Sequence, residues 1–146
     1  MITIRETRDL RELARWRREV IVHVFGEAPD ESLMEANETY YRDNVASGAH
    51  VAYVAEVDGR GAGCGAVCFS EELPSPDNPS GKCAYLMNIY VREPFRSHGL
   101  GHEIVKKLIA KARERGCGKI YLETTDDGRQ LYTSWGFKEM KDMMKL

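Results

Sequence analysis

Apolar residues recur along the chain with two periods, and their order predicts a mixed α/β protein. Residues 2–5 and 50–57 alternate between apolar and polar side chains, as half-buried strands do. Between these stretches, apolar residues return every three or four positions, which indicates two amphipathic helices. We expect the first helix to begin at a cap formed by Thr7 or Asp9, and the second to span residues 30–47 with Asp30 as its cap.

The first predicted helix combines an apolar stripe with a group of arginines. Its expected inner face is the set Leu10, Leu13, Ala14, Val20, Ile21 and Val24. The basic residues lie mostly off this stripe, and they are Arg11, Arg15, Arg17 and Arg18. Because Glu12 and Glu19 interleave with them, the pattern favours a solvated face over a nucleic-acid-binding one. The second helix has a weaker apolar face, formed by Leu33, Tyr40, Tyr41 and Val45.

The centre of the chain predicts a hairpin followed by a loop. Asp58-Gly59 is a typical two-residue hairpin turn, and residues 62–69 return as a strand. The glycines at positions 61, 63 and 65, in or beside this strand, indicate a bulge or the close approach of another backbone. Residues 73–81 are rich in proline and predict a loop.

The second half predicts a strand, a glycine-rich turn, a helix and a parallel strand. Residues 83–91 are almost continuously apolar, and Pro94 marks the exit of this strand. An amphipathic helix is expected at residues 99–115, followed by a strand at 119–123. This strand lies parallel to the preceding one because a strand–helix–strand unit crosses over. We expect a short helix at 128–135 and a last strand that begins at Phe137.

Length and composition predict a single globular domain over residues 1–146. The formal net charge is −2, which gives no global field for nucleic acid or an anionic membrane. No apolar run approaches the roughly 20 residues that a spanning helix needs, and the first residues lack the apolar core of a secretory signal. We therefore expect a cytoplasmic protein. The four cysteines do not have zinc-site spacing, so we expect buried, reduced thiols and no metal.

The turn at residues 96–101 carries the main chemical signal. Its two glycines allow a sharp turn that leaves amide N–H groups pointing outwards, and the following helix adds partial positive charge. The turn therefore predicts a phosphate-binding cradle. Known nucleotide motifs do not fit, because residues 76–83 lack the first glycine and the Ser/Thr of a P-loop. A dinucleotide fingerprint would need a third glycine, and Ile104 stands there.

Two motifs together resemble the GNAT superfamily of N-acetyltransferases. Arg96-Ser97-His98-Gly99-Leu100-Gly101 is similar to the pyrophosphate-binding Gln/Arg-x-x-Gly-x-Gly/Ala pattern of that superfamily. Leu131-Tyr132-Thr133-Ser134-Trp135-Gly136-Phe137 resembles its Leu-Tyr-x-x-x-Gly-Phe signature. A predicted helix and strand separate the two motifs, as in the superfamily, and the order of predicted elements agrees over the whole chain.

The resemblance implies a fold and a co-substrate. The fold is a GNAT-like α/β (α+β) one, with a mixed, mostly antiparallel central sheet, a parallel, splayed pair of fourth and fifth strands, and flanking helices. The co-substrate is acetyl-CoA, whose pantetheine arm would bind along the fourth strand at Ile89, Tyr90 and Val91. Its pyrophosphate would bind to the turn residues Arg96, Ser97, His98, Gly99, Leu100, Gly101 and His102.

The resemblance also implies a general acid, whereas the general base stays open. Tyr132 would protonate the departing CoA thiolate, since a phenol with an ordinary pKa of about 10 is protonated at neutral pH. The alternative is that its ring only packs beside its neighbours. Tyr85 occupies the position where some members carry a basic glutamate, and Thr125 stands where many carry an asparagine that contacts the cofactor. The candidate bases are Glu123, Asp126, Asp127, His23 and a water chain.

The implied reaction is acetyl transfer to a primary amine of a small molecule, peptide or protein, by direct attack in a ternary complex. Asn88 and Glu123 are candidate substrate contacts, although Asn88 is equally explained as a satisfied core amide. The carboxylates of Glu27, Asp30, Glu31 and Glu35 either attract a cationic amine or suit a helix dipole. The alternative function is an acyl-CoA-binding sensor without catalysis. A homodimer is compatible with the superfamily.

Overall fold

The computed structural model describes residues 1–146 and contains five strands and four helices. The first elements are β1 (Ile2–Thr7), α1 (Leu10–Phe25) and α2 (Glu31–Ala46). The central strands are β2 (His50–Val57), β3 (Arg60–Glu71) and β4 (Lys82–Val91). A 3₁₀ turn at Glu93–Phe95 then leads to α3 (Leu100–Glu114), β5 (Lys119–Leu122) and α4 (Asp126–Ser134).

The strands form one sheet in the order β1-β2-β3-β4-β5. All neighbours are antiparallel except β4 and β5, which are parallel, so the predicted mixed sheet is confirmed. The tight turn between β2 and β3 is also confirmed, because Asp58 (φ 50°) and Gly59 (φ 79°) both adopt the left-handed conformation of a two-residue hairpin. No helix is both long and apolar enough to cross a membrane.

The two faces of the sheet carry separate helical layers. One face packs against α3 and α4 through the main core cluster, whose α3 members are Leu100, Ile104, Val105, Leu108, Ile109 and Ala112. The other face packs against α1 and α2 in two smaller clusters, centred on Tyr41 and Trp16. The predicted stripe of α1 is partly wrong, since Leu10 and Val24 are 41% and 51% exposed. Trp16 is buried in their place because it faces β2 and β3.

Close approach of neighbouring groups explains the glycines of β3. A β-carbon at Gly63 would lie 2.5 Å from the carbonyl oxygen of Tyr90, and one at Gly65 would lie 2.6 Å from Ile104 Cγ2. The prediction of a bulge or close backbone approach in this strand is therefore confirmed. Only a residue without a side chain lets β4 and α3 pack this tightly against β3.

The predicted last strand is absent. Residues 137–146 form neither helix nor strand, and the backbone N–H of Phe137 instead donates to the carbonyl of Tyr132 at 3.1 Å. After Phe137 the apolar residues are Met140, Met143, Met144 and Leu146, all of them exposed. Their spacing does not alternate, and none is β-branched or aromatic, so the segment lacks the pattern that favours a strand.

None of the four cysteines forms a disulfide, and the prediction that they are buried is correct for two of them. Cys64 and Cys83 are buried, and Cys68 and Cys117 are partly buried. Burial raises the pKa of the Cys64 thiol, which keeps that thiol protonated at neutral pH.

Candidate active site

β4 and β5 separate partway along β4. Their parallel pairing extends from Cys83 opposite Lys119 to Leu86 opposite Leu122, whereas β4 continues to Val91. The edge of β4 beyond Leu86 therefore has no strand beside it, and an extended ligand can pair with its backbone groups. Ile89, Tyr90 and Val91, the residues predicted to bind pantetheine, lie on this open edge.

A bulge interrupts the pairing of β4 with β3 in the same stretch of β4. Where β3 supplies one residue, Gly65, β4 supplies two, Asn88 and Ile89. Asn88 has a φ of 56°, a left-handed conformation that asparagine tolerates better than most residues. As a result Met87 packs against the Tyr41 cluster while the next side chain, Asn88, also reaches the α1 side, where it contacts Arg17. The bulge thus aims a polar group at the face covered by α1 and α2.

The turn after β4 leaves consecutive backbone N–H groups without acceptors. The N–H groups of residues 97–102 form no hydrogen bond within the protein, and the first paired N–H of α3 is that of Glu103, which donates to Gly99 at 3.2 Å. Ser97 (φ 66°) and Gly99 (φ 80°) both adopt left-handed conformations, and no side chain caps the helix. Free N–H groups at a helix N-terminus suit a pyrophosphate.

Two side chains of the turn contact nearby backbone carbonyls. Arg96 Nε donates to the carbonyl of Val91 at 2.8 Å, which ties the turn to the end of β4. The Nδ1 of His98 lies 2.6 Å from the carbonyl oxygen of Arg96. The ring of His102 instead faces Trp135 of the second motif, with 6.3 Å between the ring centroids.

The second motif supplies a buried phenol beside the turn. Tyr132 lies on α4, is 9% exposed and packs edge-on against Phe137. Its hydroxyl makes no hydrogen bond to the protein. Only one fully buried side-chain nitrogen or oxygen lacks a partner, and that atom is His50 Nε2. The unpaired hydroxyl of Tyr132 is therefore not fully buried. Burial raises the pKa of Tyr132 to about 12. The phenol is therefore protonated at neutral pH and free to donate.

Tyr85 lies on β4, within its pairing with β5. Its ring centroid is 5.1 Å from that of Tyr121. Burial raises the pKa of Tyr85 to about 12, and the nearby carboxylate of Glu123 adds to the rise. Tyr85 is thus a neutral donor and cannot accept a proton at neutral pH. Glu123 is exposed and directly follows β5, so among the candidate bases it lies beside this strand pair.

The other carboxylate candidates lie on α4, and His23 lies beside the open edge of β4. Asp126 is exposed and pairs with Arg129 of its own helix at 3.6 Å. Asp127 is also exposed at the start of α4. The ring of His23 packs beside that of Tyr90, with centroids 5.1 Å apart. Thr125 caps α4 without a side-chain hydrogen bond to the helix.

The expectation of a fully solvated arginine face on α1 is wrong for Arg17. Its side chain is partly buried and donates from Nη1 to Asn88 Oδ1 at 2.9 Å and from Nε to Asn37 Oδ1 at 3.3 Å. It also lines a cavity of about 520 Å³ between α1 and α2, together with Ile21, Phe25, Glu27, Ala28, Pro29, Asp30 and Leu33. The sequence signal was its spacing, because position 17 lies four residues from both Leu13 and Ile21, which are buried.

A second polar cluster on the same face was also missed. The hydroxyl of Tyr40 lies 3.0 Å from His50 Nδ1 and 2.9 Å from Cys68 Sγ. His50 is 3% exposed, and its Nε2 has no hydrogen-bond partner. Burial lowers the pKa of His50 to about 4, and the charge of Arg17 adds to the effect. The ring is therefore neutral under ordinary conditions.

Comparison with known proteins agrees with this geometry. The sequence pattern of the Acetyltransferase (GNAT) family matches residues 10–137. Glucosamine 6-phosphate N-acetyltransferase 1 from Oryza sativa subsp. japonica is 31% identical over 115 residues, which are 77% of this chain and 68% of that protein. Thialysine N-epsilon-acetyltransferase from Sus scrofa is 28% identical over 94 residues, which are 50% of this chain and 55% of that protein.

Solved structures match over the full length. An acetyltransferase from Clostridium acetobutylicum, crystallised with acetyl-CoA, superposes with a TM-score of 0.91 at 24% identity and covers 100% of this chain and 96% of that one. A GCN5-related N-acetyltransferase from Ralstonia eutropha superposes with a TM-score of 0.80 at 26% identity, covering 100% and 98%. With its sheet, its two motifs and its sequence match in agreement, the chain belongs to the GNAT family of acetyltransferases.

Proposed function

We propose that this protein transfers the acetyl group of acetyl-CoA to the primary amine of a small molecule. The observation that carries the proposal is the run of unpaired N–H groups at residues 97–102, which directly follows the open edge of β4. A pyrophosphate on the turn and a pantetheine arm on the strand would satisfy both sets of groups with one ligand. The cavity between α1 and α2 has the size of a small-molecule site, on the face to which Asn88 points.

The proposed reaction is a direct displacement within one complex. The amine nitrogen forms a bond to the thioester carbonyl carbon, and the carbon–sulfur bond breaks. The nitrogen releases a proton, and the departing sulfur receives one from the hydroxyl of Tyr132. The raised pKa of Tyr132 supports this role, because the residue carries its proton throughout the neutral range.

The amine must be neutral before it attacks. We propose that Glu123, exposed beside Tyr85, or bulk solvent takes up the proton of the ammonium group. Tyr85 has no part as a base, since its pKa of about 12 leaves it protonated.

The named relatives support a small amine as the substrate class. The two named relatives act on glucosamine 6-phosphate and on thialysine, both of which are small amines. A small amine is also the acceptor that fits the cavity of about 520 Å³, whereas a folded protein surface would contact only its rim.

A sensor that binds acyl-CoA without catalysis is the second candidate, and one assay separates the two functions. Purified protein is mixed with acetyl-CoA and a panel of primary amines, and release of free thiol is followed together with the mass of each amine. Amine-dependent thiol release with the gain of one acetyl group supports the enzyme. Tight acetyl-CoA binding without acetylation of any amine supports the sensor and contradicts the proposal.

A further inference from the structure

Arg17 is a partly buried cation for which the protein provides no anion. No carboxylate lies within ion-pair distance of its guanidinium, and its two partners are the neutral amide oxygens of Asn37 and Asn88. A guanidinium carries five N–H donors, so most of its donors, including both on Nη2, remain unused. Buried or partly buried charges in proteins are normally paired.

Arg92 on the same side of the sheet makes the contrast clear. It lies at the end of β4, and its guanidinium forms two hydrogen bonds at 2.8 and 2.9 Å with the carboxylate of Glu19, which also belongs to α1. Its charge is thereby neutralised within the protein. Arg17 lies two positions before Glu19 on α1 and is left without such a partner, so its charge is available to a ligand.

The position of Arg17 makes this charge part of the candidate active site. Its hydrogen bond to Asn88 anchors the guanidinium to the bulge of β4, next to the open edge where the thioester would lie. The same side chain lines the cavity between α1 and α2. A molecule in this cavity therefore lies within reach of a guanidinium that is itself bonded to β4.

The positive charge of Arg17 affects the pKa of a neighbouring tyrosine. Burial raises the pKa of Tyr41 to about 12, and the charge of Arg17 opposes the rise. The cavity also contains the carboxylates of Glu27 and Asp30, both of which are exposed. Water and salt screen exposed charges strongly, and one oxygen of Asp30 is engaged by the N–H of Leu33 as a helix cap. The inner, less screened charge of the cavity is therefore positive.

We infer that Arg17, held by Asn88 and Asn37, forms an anion-binding subsite, so that the amine acceptor also carries a carboxylate or phosphate group. This inference rests on the proposed acetyl transfer at the same site. The planar fork of Arg17 can bind two oxygens of either group at once, while the amine of the same molecule is directed towards β4.

Matched pairs of amines test the inference. Each pair differs only in the anionic group: an amino acid with its carboxamide, O-phosphoethanolamine with ethanolamine, and glucosamine 6-phosphate with glucosamine. The wild type is expected to acetylate the anionic member of at least one pair about tenfold or more faster in kcat/KM, as a charge-assisted hydrogen bond allows. The carboxylate and phosphate pairs show which anion fits.

Variants of α1 identify the residue responsible. Arg17→Gln should abolish the preference by slowing the anionic member alone, and Arg17→Lys, which keeps the charge without the fork, should retain part of it. Arg18→Gln, an exposed neighbour on α1, should leave the preference intact. Thermal midpoints and acetyl-CoA affinity are measured for each variant. A preference that survives in Arg17→Gln, or a wild type that prefers the neutral members, overturns the inference.

Equilibrium binding separates this inference from the proposed function. If no amine is acetylated, the proposed function fails, and binding of the same amine pairs to the wild type in the presence of CoA decides the subsite. Binding of an anionic member that Arg17→Gln loses supports the subsite on its own. Equal binding of both members by the wild type overturns it.

Discussion

Gly101 and Leu131 are in such close contact that a β-carbon at position 101 would lie 3.2 Å from Leu131 Cδ2. The two residues belong to the two motifs, one at the start of α3 and one in α4. Their contact places the unpaired N–H groups of the turn and the hydroxyl of Tyr132 on neighbouring elements. The motifs thus form one site, although β5 and most of α3 lie between them in the sequence.

Gly99→Ala is expected to weaken acetyl-CoA binding. Gly99 has a φ of 80°, which costs an alanine on the order of 1–2 kcal/mol, and a relaxed turn would lose N–H groups aimed at the pyrophosphate. Because a hydrogen bond to a charged group contributes about 1.5–3 kcal/mol, we expect the dissociation constant to rise roughly tenfold or more. Isothermal titration of acetyl-CoA measures this change.

Gly116→Ala is the matched control for that variant. Gly116 follows α3 and has a φ of 74°, and at both Gly116 and Gly99 an added β-carbon would meet no atom within 4 Å. Both variants should therefore lose similar stability in urea, while only Gly99→Ala loses acetyl-CoA affinity. Equal losses of affinity would show that the turn has no special part in binding.

His50 is expected to make the protein sensitive to acid. Its pKa is about 4 in the folded protein, against an ordinary value of 6.5, so the unfolded chain binds a proton that the folded protein does not. The neutral ring's contribution to the free energy of unfolding is fully present above pH 6.5 and is lost as the pH falls towards 4. The total loss is about 3 kcal/mol. The groups around the ring are Tyr40 and Tyr41 of α2, Cys68 of β3 and Arg17 of α1.

Urea unfolding at several pH values measures this dependence. In His50→Asn, which keeps an acceptor near the Nδ1 position, the free energy of unfolding should fall less steeply over the same pH window. Identical pH slopes in the wild type and in His50→Asn would contradict the assignment of a neutral, buried imidazole.

Tyr85→Phe is expected to leave the pH dependence of catalysis unchanged. The pKa of about 12 prevents Tyr85 from acting as a base, so the rise of kcat/KM with pH should follow the ionisation of the amine itself. Tyr121→Phe, which changes the neighbouring ring on β5, serves as the control. Two results in Tyr85→Phe alone would show that Tyr85 takes part in catalysis: a kcat/KM that no longer rises with pH, or a large drop in kcat/KM.

Local sequence patterns predicted most of the fold, because they report on contacts near in sequence. The Asp58-Gly59 hairpin, the strand ending before Pro94 and the glycine turn all depend on the conformations that their own residues favour. The expected final strand was wrong because residues 138–146 lack the alternating apolar pattern that favours a strand.

Features that depend on long-range partners were not predictable in the same way. Arg17 belongs to a mixed-charge helix face, and only the fold brings Asn88 of β4 next to it. The bulge that aims Asn88 depends on pairing with Gly65, and the contacts of His50 join α2, β2 and β3. Sequence spacing indicates which face a residue occupies, but the partner on the other element decides what the side chain does there.

The acid role of Tyr132 is the central chemical claim, and Tyr132→Phe tests it most directly. Acetyl-CoA affinity and the single-turnover rate of amine acetylation are measured on the same preparation. Tyr53→Phe, which removes another buried phenol from the same core cluster, is the control. We predict a rate lower on the order of 100-fold in Tyr132→Phe, with acetyl-CoA affinity unchanged and with Tyr53→Phe like the wild type. A wild-type acetylation rate in Tyr132→Phe would contradict the account.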